Sequence, residues 1–146
     1  MSNSVTGTGS RARIATLTEV GCFNMPVPVF VYGTLMRDRS NHGLLRGRRF
    51  LGRAVACGVG LYAVTPRFPG AVREPGSIVR GEVYAVDAST LRDLDELEDN
   101  GRLYRRELLP VVLEETGETL TAWVYLWLRG VRPEKAVPPE RQPWRP

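Results

Sequence analysis

One carboxylate in this chain stands where a carboxylate is expensive. Residues 88–98 read as a helix, with Asp87 as N-cap and Asn100-Gly101 as its end. At about 100° per residue, Leu91, Leu94 and Leu97 form the apolar arc, and Arg92, Asp93 and Glu96 fall away from it. Glu98 lands between Leu91 and Leu94, facing the core or a cavity beside it. Burying an ionised carboxylate without partners is costly, and desolvation raises its pKa towards that of a useful proton acceptor. Glu98 also sits in the last turn, where the helix dipole disfavours negative charge. Against this stands a plain alternative: a frayed helix end, with Glu98 in solvent or paired with Arg105 or Arg106. Asp95, at the edge of the same arc, is placed to cap, pair or orient.

A second candidate is Val29-Phe30-Val31-Tyr32-Gly33-Thr34-Leu35. Its first half has the β-branched and aromatic residues of a buried strand. The strand stops at Gly33, whose lack of Cβ permits φ > 0 and a sharp turn. The amides of Gly33, Thr34 and Leu35 then converge as an anion-holding nest. Other chemistry is poorly supported. His42, the single histidine, lies in a polar loop and reads as solvated. There is no metal-ligand cluster, no Walker motif and no nucleophile–base spacing.

The elements that must position these residues follow in order. Residues 1–25 read as a flexible extension and 26–130 as one domain. Residues 131–146, with five prolines, read as a loose Pro-rich tail. After the turn, residues 36–45 read as a polar loop and a short helical turn that Gly47 ends. Strands are expected near 50–57 and 60–64, with a tight connection at Gly58. Thr65 to Gly70 is a loop held by two prolines, and Glu74-Pro75-Gly76-Ser77 a further turn. Ile78 to Val86 alternates as a strand. Strands near 104–113 and 119–128 follow the helix, with Pro110 marking an edge or bulge. Trp123, Tyr125 and Trp127 recur at every second position of the last strand, as core or pocket lining.

The whole chain of 146 residues is 42% hydrophobic and 25% charged, the balance of a soluble globular domain. No apolar run approaches the ~20 residues of a membrane helix, and no signal peptide is evident. Cys22 and Cys57 form no disulfide framework, which fits a reducing cytoplasm; Cys57 reads as core. The basic run Arg46, Arg48, Arg49 and Arg53 is short and without interleaved aromatics, so it reads as a solvated loop rather than a nucleic-acid surface.

Six segments in order resemble the gamma-glutamylcyclotransferase-like, or AIG2-like, family. They are Phe30–Leu35, Phe68–Val72, Val79–Tyr84, Leu94–Glu98, Leu103–Arg106 and Ala122–Tyr125. The resemblance spans about residues 27–128. It implies an α+β fold, a small mixed β-barrel flanked by short helices, with a cavity at its mouth. It also implies cyclisation of a gamma-glutamyl amide to 5-oxoproline with release of a free amine. Tyr32, Gly33, Thr34 and Leu35 then hold the glutamyl moiety, Tyr125 joins the substrate pocket, and Glu98 is the general acid/base. No metal or organic cofactor is implied, and the partner is the small-molecule gamma-glutamyl substrate. A monomer or weak homodimer is expected. One departure stands out: many members carry Gly after the glutamate, where this chain has Asp99. The rival reading is a barrel that only binds a small carboxylate or a protein.

Overall fold

The computed structural model describes residues 25–145. Five strands close into a barrel: β1 (Val27–Val31), β2 (Arg49–Ala63), β3 (Pro69–Val86), β4 (Tyr104–Leu113) and β5 (Thr119–Trp127). The order round the barrel is β1-β3-β2-β4-β5, and β5 returns to β1. That last pairing, Val29 with Trp123 and Phe30 with Val124, is parallel, and the others are antiparallel. Closure removes the sheet edges that an open five-stranded sheet would expose. Phe30, Val79, Val83, Val111 and Val124 share the inward face, essentially without solvent contact, while Val29 and Val31 are buried on the opposite face of β1. The β-branched residues at these positions are what predicted the strands, and their inward parity is what fills the barrel.

The segment expected as two strands is one. β2 runs unbroken from Arg49 to Ala63, and Gly58 (φ +81°) is a bulge rather than a connection. Ala54 and Ala56 face inward before the bulge, Val59 and Leu61 after it. One extra residue flips the parity and bends the strand. The same alternation turns Cys57 outward, so it is exposed rather than core. The expected turn at Glu74–Ser77 is likewise absorbed into β3: the ladder jumps from Cys57 opposite Ile78 to Val59 opposite Arg73. The Glu74 carboxylate accepts from the Tyr62 and Ser77 hydroxyls, which closes this wide bulge. Pro110 lies just beyond the β2–β4 ladder, which ends at Val111, so its missing N–H costs no hydrogen bond on that side.

The C-terminal segment is packed, not loose. Val137 N donates to Leu61 O, and the Gln142 side chain accepts from Arg80 N and donates to the Ile78 and Val137 carbonyls. Trp144 is 4% exposed. Its carbonyl accepts from Arg39 at 2.9 Å. The prolines restrict this strap in the unfolded chain as well, so docking it costs less entropy than its lack of regular structure suggests.

The helix α1 (Ala88–Leu97) begins as read, with the Asp87 side chain accepting from Thr90 N at 2.8 Å. Its end differs from the expectation. Asp99, not Gly101, takes the first left-handed position, at φ +52°. Asn100 N donates to Asp95 O at 2.9 Å and Asp99 N to Glu96 O at 3.2 Å, the paired bonds of a Schellman cap. Glycine suits that position because a Cβ is unfavourable there. The Asp99 carboxylate turns away to Arg102, with Nε at 2.7 Å. Asp99→Gly should therefore raise stability by about 0.5–1 kcal/mol: relief of backbone strain outweighs one exposed ion pair. Urea unfolding checks this, and a destabilised variant would mean that the Arg102 pair matters more than the strain.

Candidate active site

The Schellman cap fixes where Glu98 points. Glu98 is the C-cap residue of α1, and the tight loop behind it delivers the chain to β4, with Gly101 N donating to Tyr104 O at 2.7 Å. Glu98 and Tyr104 thus meet on one side of a cavity of about 230 Å³ at the barrel mouth. The Tyr32–Leu35 turn, Phe68, Pro69, Leu103 and Tyr125 also line it. Sequence reasoning singled out Tyr32, Gly33, Thr34, Leu35, Tyr125 and Glu98, and all six line this one cavity. Leu97, expected in the buried arc, also lines it and is 41% exposed, because α1 overhangs the mouth.

Glu98 is half-buried and lines the cavity. Desolvation raises its pKa to about 7, and nothing charged or hydrogen-bonding offsets it. The alternative pairing with arginine does not occur. Arg105 goes to Glu107, and Arg106 holds Asp95 with two bonds, Nε–Oδ1 2.8 Å and Nη2–Oδ2 3.1 Å. Three tyrosines surround Glu98. Burial pushes the phenols of Tyr32, Tyr104 and Tyr125 well above their ordinary pKa; the Glu98 charge adds to this, and at Tyr125 the bond to Asp95 adds more.

The turn is held by its carbonyls. Gly33 O accepts from Met36 N at 3.1 Å and Thr34 O from Asn41 N at 2.8 Å. Asn41 Nδ2 also donates to Thr34 Oγ1 at 2.8 Å. Among the described residues, none of these backbone bonds uses the N–H groups of Gly33, Thr34 or Leu35. His42 is not solvated as expected. Its Nδ1 lies 2.9 Å from Leu35 O, so Nδ1 carries the proton, and its ring rests against Tyr84. Gly33 also differs from the expectation. Its φ is not in the left-handed region, and the reason for glycine is contact: a Cβ there would lie 2.9 Å from Pro69 Cδ.

Sequence reasoning assigned no role to Tyr104 or Asn41, read His42 as solvated, and offered Arg106 only as a partner for Glu98. Tyr104 had one signal available: it opens a strand directly after the glutamate-bearing loop. The ties of Asn41 and His42 to the turn, and of Arg106 to Asp95, have no sequence period to betray them.

A closed barrel with a cavity lined by an unpaired carboxylate and by a turn with free amides is a frame that suits a small enzyme. The family model described as gamma-glutamyl cyclotransferase, AIG2-like, matches residues 29–146. The chain belongs to this gamma-glutamylcyclotransferase, AIG2-like family of enzymes. It is 34% identical over 103 residues to a gamma-glutamylcyclotransferase family protein of Escherichia coli K12, covering 70% of this chain and 84% of that one. It is 42% identical over 96 residues to the gamma-glutamylaminecyclotransferase of Homo sapiens, covering 60% of this chain and 63% of that one. An AIG2-like protein of Mus musculus shares the fold, with a TM-score of 0.67 at 31% identity over 76% of this chain and 82% of that one. Among the described residues, no helix is long and apolar enough to cross a membrane.

Proposed function

We propose that the cavity binds the glutamyl half of a gamma-glutamyl amide and cyclises it to 5-oxoproline, with Glu98 as the general acid/base. The observation that carries this is an unpaired carboxylate, raised by burial to a pKa of about 7, that lines the same cavity as the Tyr32–Leu35 turn. The attacking α-amine is an ammonium at neutral pH and must lose a proton first. Glu98 takes it. The nitrogen then bonds to the γ-carbonyl carbon, and the carbonyl oxygen becomes an oxyanion that the amides of Gly33, Thr34 and Leu35 are placed to stabilise. The carbon–nitrogen bond to the leaving group breaks as Glu98 returns the proton there. Overall, two protons leave the attacking nitrogen and two reach the departing one, which exits as an ammonium. Folding the glutamyl chain in a cavity of this size supplies the proximity term. The human relative named above is a gamma-glutamylaminecyclotransferase, which puts gamma-glutamylamines first among substrates to try, before gamma-glutamyl amino acids and other gamma-glutamylated intermediates.

Release of 5-oxoproline from a panel of gamma-glutamyl amides tests the reading. Silence on every member, with a small carboxylate still bound, would leave a binding module instead. The pH profile tests the base. With Glu98 raised to about 7 by burial, log(kcat/KM) should fall with unit slope below about pH 7 and level off above it. A limb near the ordinary carboxylate range would show that burial does not tune this group.

A further inference from the structure

The three tyrosines around Glu98 share a property that is decided outside the cavity. Each phenol has one proton, and each proton has an acceptor that cannot itself donate. Tyr32 donates to the Tyr125 carbonyl at 2.5 Å and Tyr104 to the Pro69 carbonyl at 2.8 Å. Tyr125 donates to Asp95 Oδ1 at 2.6 Å. Both Asp95 oxygens accept from Arg106, which leaves this carboxyl in the acceptor role. Tyr32 is then fully used, since its oxygen also accepts from Ala71 N at 3.1 Å. Tyr104 and Tyr125 keep lone pairs and have no proton left to give. Together with Glu98 in its ionised form they supply three acceptors among the residues that line the cavity.

We propose that Tyr104 and Tyr125 recognise the protonated α-amine of the substrate as hydrogen-bond acceptors beside Glu98, and that Arg106, through Asp95, is the positioning residue that keeps the Tyr125 proton out of the cavity. The proposal rests on the glutamyl reading of the cavity. Three acceptors match the three N–H bonds of a primary ammonium. The Gly33–Leu35 backbone in the same cavity offers donors, so the site holds both kinds of partner that an amino acid's ammonium and carboxylate require. The same polarity means that these phenols cannot stabilise an oxyanion, which assigns that task to the turn. Arg106 is itself fixed, with its guanidinium 4.2 Å above the Trp123 ring on β5. The clamp therefore runs from β4 through α1 to the phenol on β5.

The test needs binding without turnover. In the Glu98→Gln protein, calorimetry compares γ-N-methyl-L-glutamine with glutaric acid monomethylamide, the same molecule without its amine. The amine should improve affinity by about 10-fold or more, the scale of charge-assisted hydrogen bonds. Adding Tyr125→Phe or Tyr104→Phe, each of which keeps the ring in place, should cut that preference at least about threefold. Arg106→Met separates positioning from simple charge. Removing a cation would by electrostatics alone strengthen the preference for an ammonium, whereas loss of the clamp frees Asp95 and weakens it. Arg106→Lys should restore part of it. A preference unchanged by both Tyr→Phe variants, or one that rises in Arg106→Met, overturns the proposal, as does failure of both ligands to bind. Binding that obeys these rules in a protein that never releases 5-oxoproline would sink the cyclotransferase reading and leave this one standing.

Discussion

Glu98→Gln should abolish 5-oxoproline release, with a loss of about 10³-fold, while making the protein more stable above pH 7. The two effects share one cause. General acid–base catalysis contributes about 10²–10⁴-fold, and here a single group both accepts and returns the proton. Glutamine keeps the shape but cannot carry that proton. The stability effect follows from linkage. The Glu98 pKa is raised from an unfolded value near 4.5 to about 7 in the folded protein. Between those values the folded state holds a proton that the unfolded state has lost, so stability falls as pH rises through this window. Above pH 7 the buried charge costs at most about 3 kcal/mol, and cavity water brings this to about 1–3 kcal/mol. Glutamine carries no such cost. The variant should therefore melt higher than the parent at pH 8 and level with it near pH 4, where both side chains are neutral. Paired melting curves at the two pH values, with an activity assay alongside, check both halves. Equal melting at pH 8 would mean that the carboxylate is solvated in the folded protein.

Gly81→Ala should cripple folding although Gly81 itself does not line the cavity. A Cβ at this position of β3 would lie 2.2 Å from the Val31 carbonyl oxygen and 2.8 Å from the Phe30 ring. The first neighbour is backbone and cannot swing aside. Relief requires β1 to move away from β3 just where β1 feeds the Tyr32–Leu35 turn. Overpacking a core commonly costs about 1–3 kcal/mol, and a clash with backbone belongs at or above the top of that range. A destabilisation of about 3–5 kcal/mol is expected, lowering Tm by about 10 °C or more. Gly43→Ala is the control, since a Cβ there meets nothing within 4 Å and its φ is not positive. Thermal unfolding that shifts equally in both variants would remove the argument from contact.

The parts of this protein that repeat with a fixed period were legible before any coordinates. The strand Val27–Val31, the helix from its Asp87 cap, and the strands opening at Tyr104 and Thr119 all announce themselves by alternation or by capping chemistry. Glu98 was legible for the same reason, because a charged residue that breaks an apolar arc is visible on a wheel. The irregular strands were not. Gly58 and Glu74–Ser77 look like turns in sequence, and only the neighbouring strand turns them into bulges. Gly33 and Gly81 look like flexible points, yet each is a glycine because another segment comes too close for a Cβ. The C-terminal strap has no period at all, and its order comes from bonds to β2, β3 and Arg39.

The amino-acid order by itself singled out Glu98 and the Tyr32–Leu35 bend as candidates, since local periodicity fixes the direction of a residue on its own element. The tertiary structure alone decided the state of that chemistry. The pKa of Glu98 depends on how much water the closed barrel leaves beside it, and the polarity of Tyr125 depends on an arginine eleven positions beyond Asp95 along the chain. Desolvation and hydrogen-bond direction are properties of what surrounds a group in space, and no local pattern encodes them.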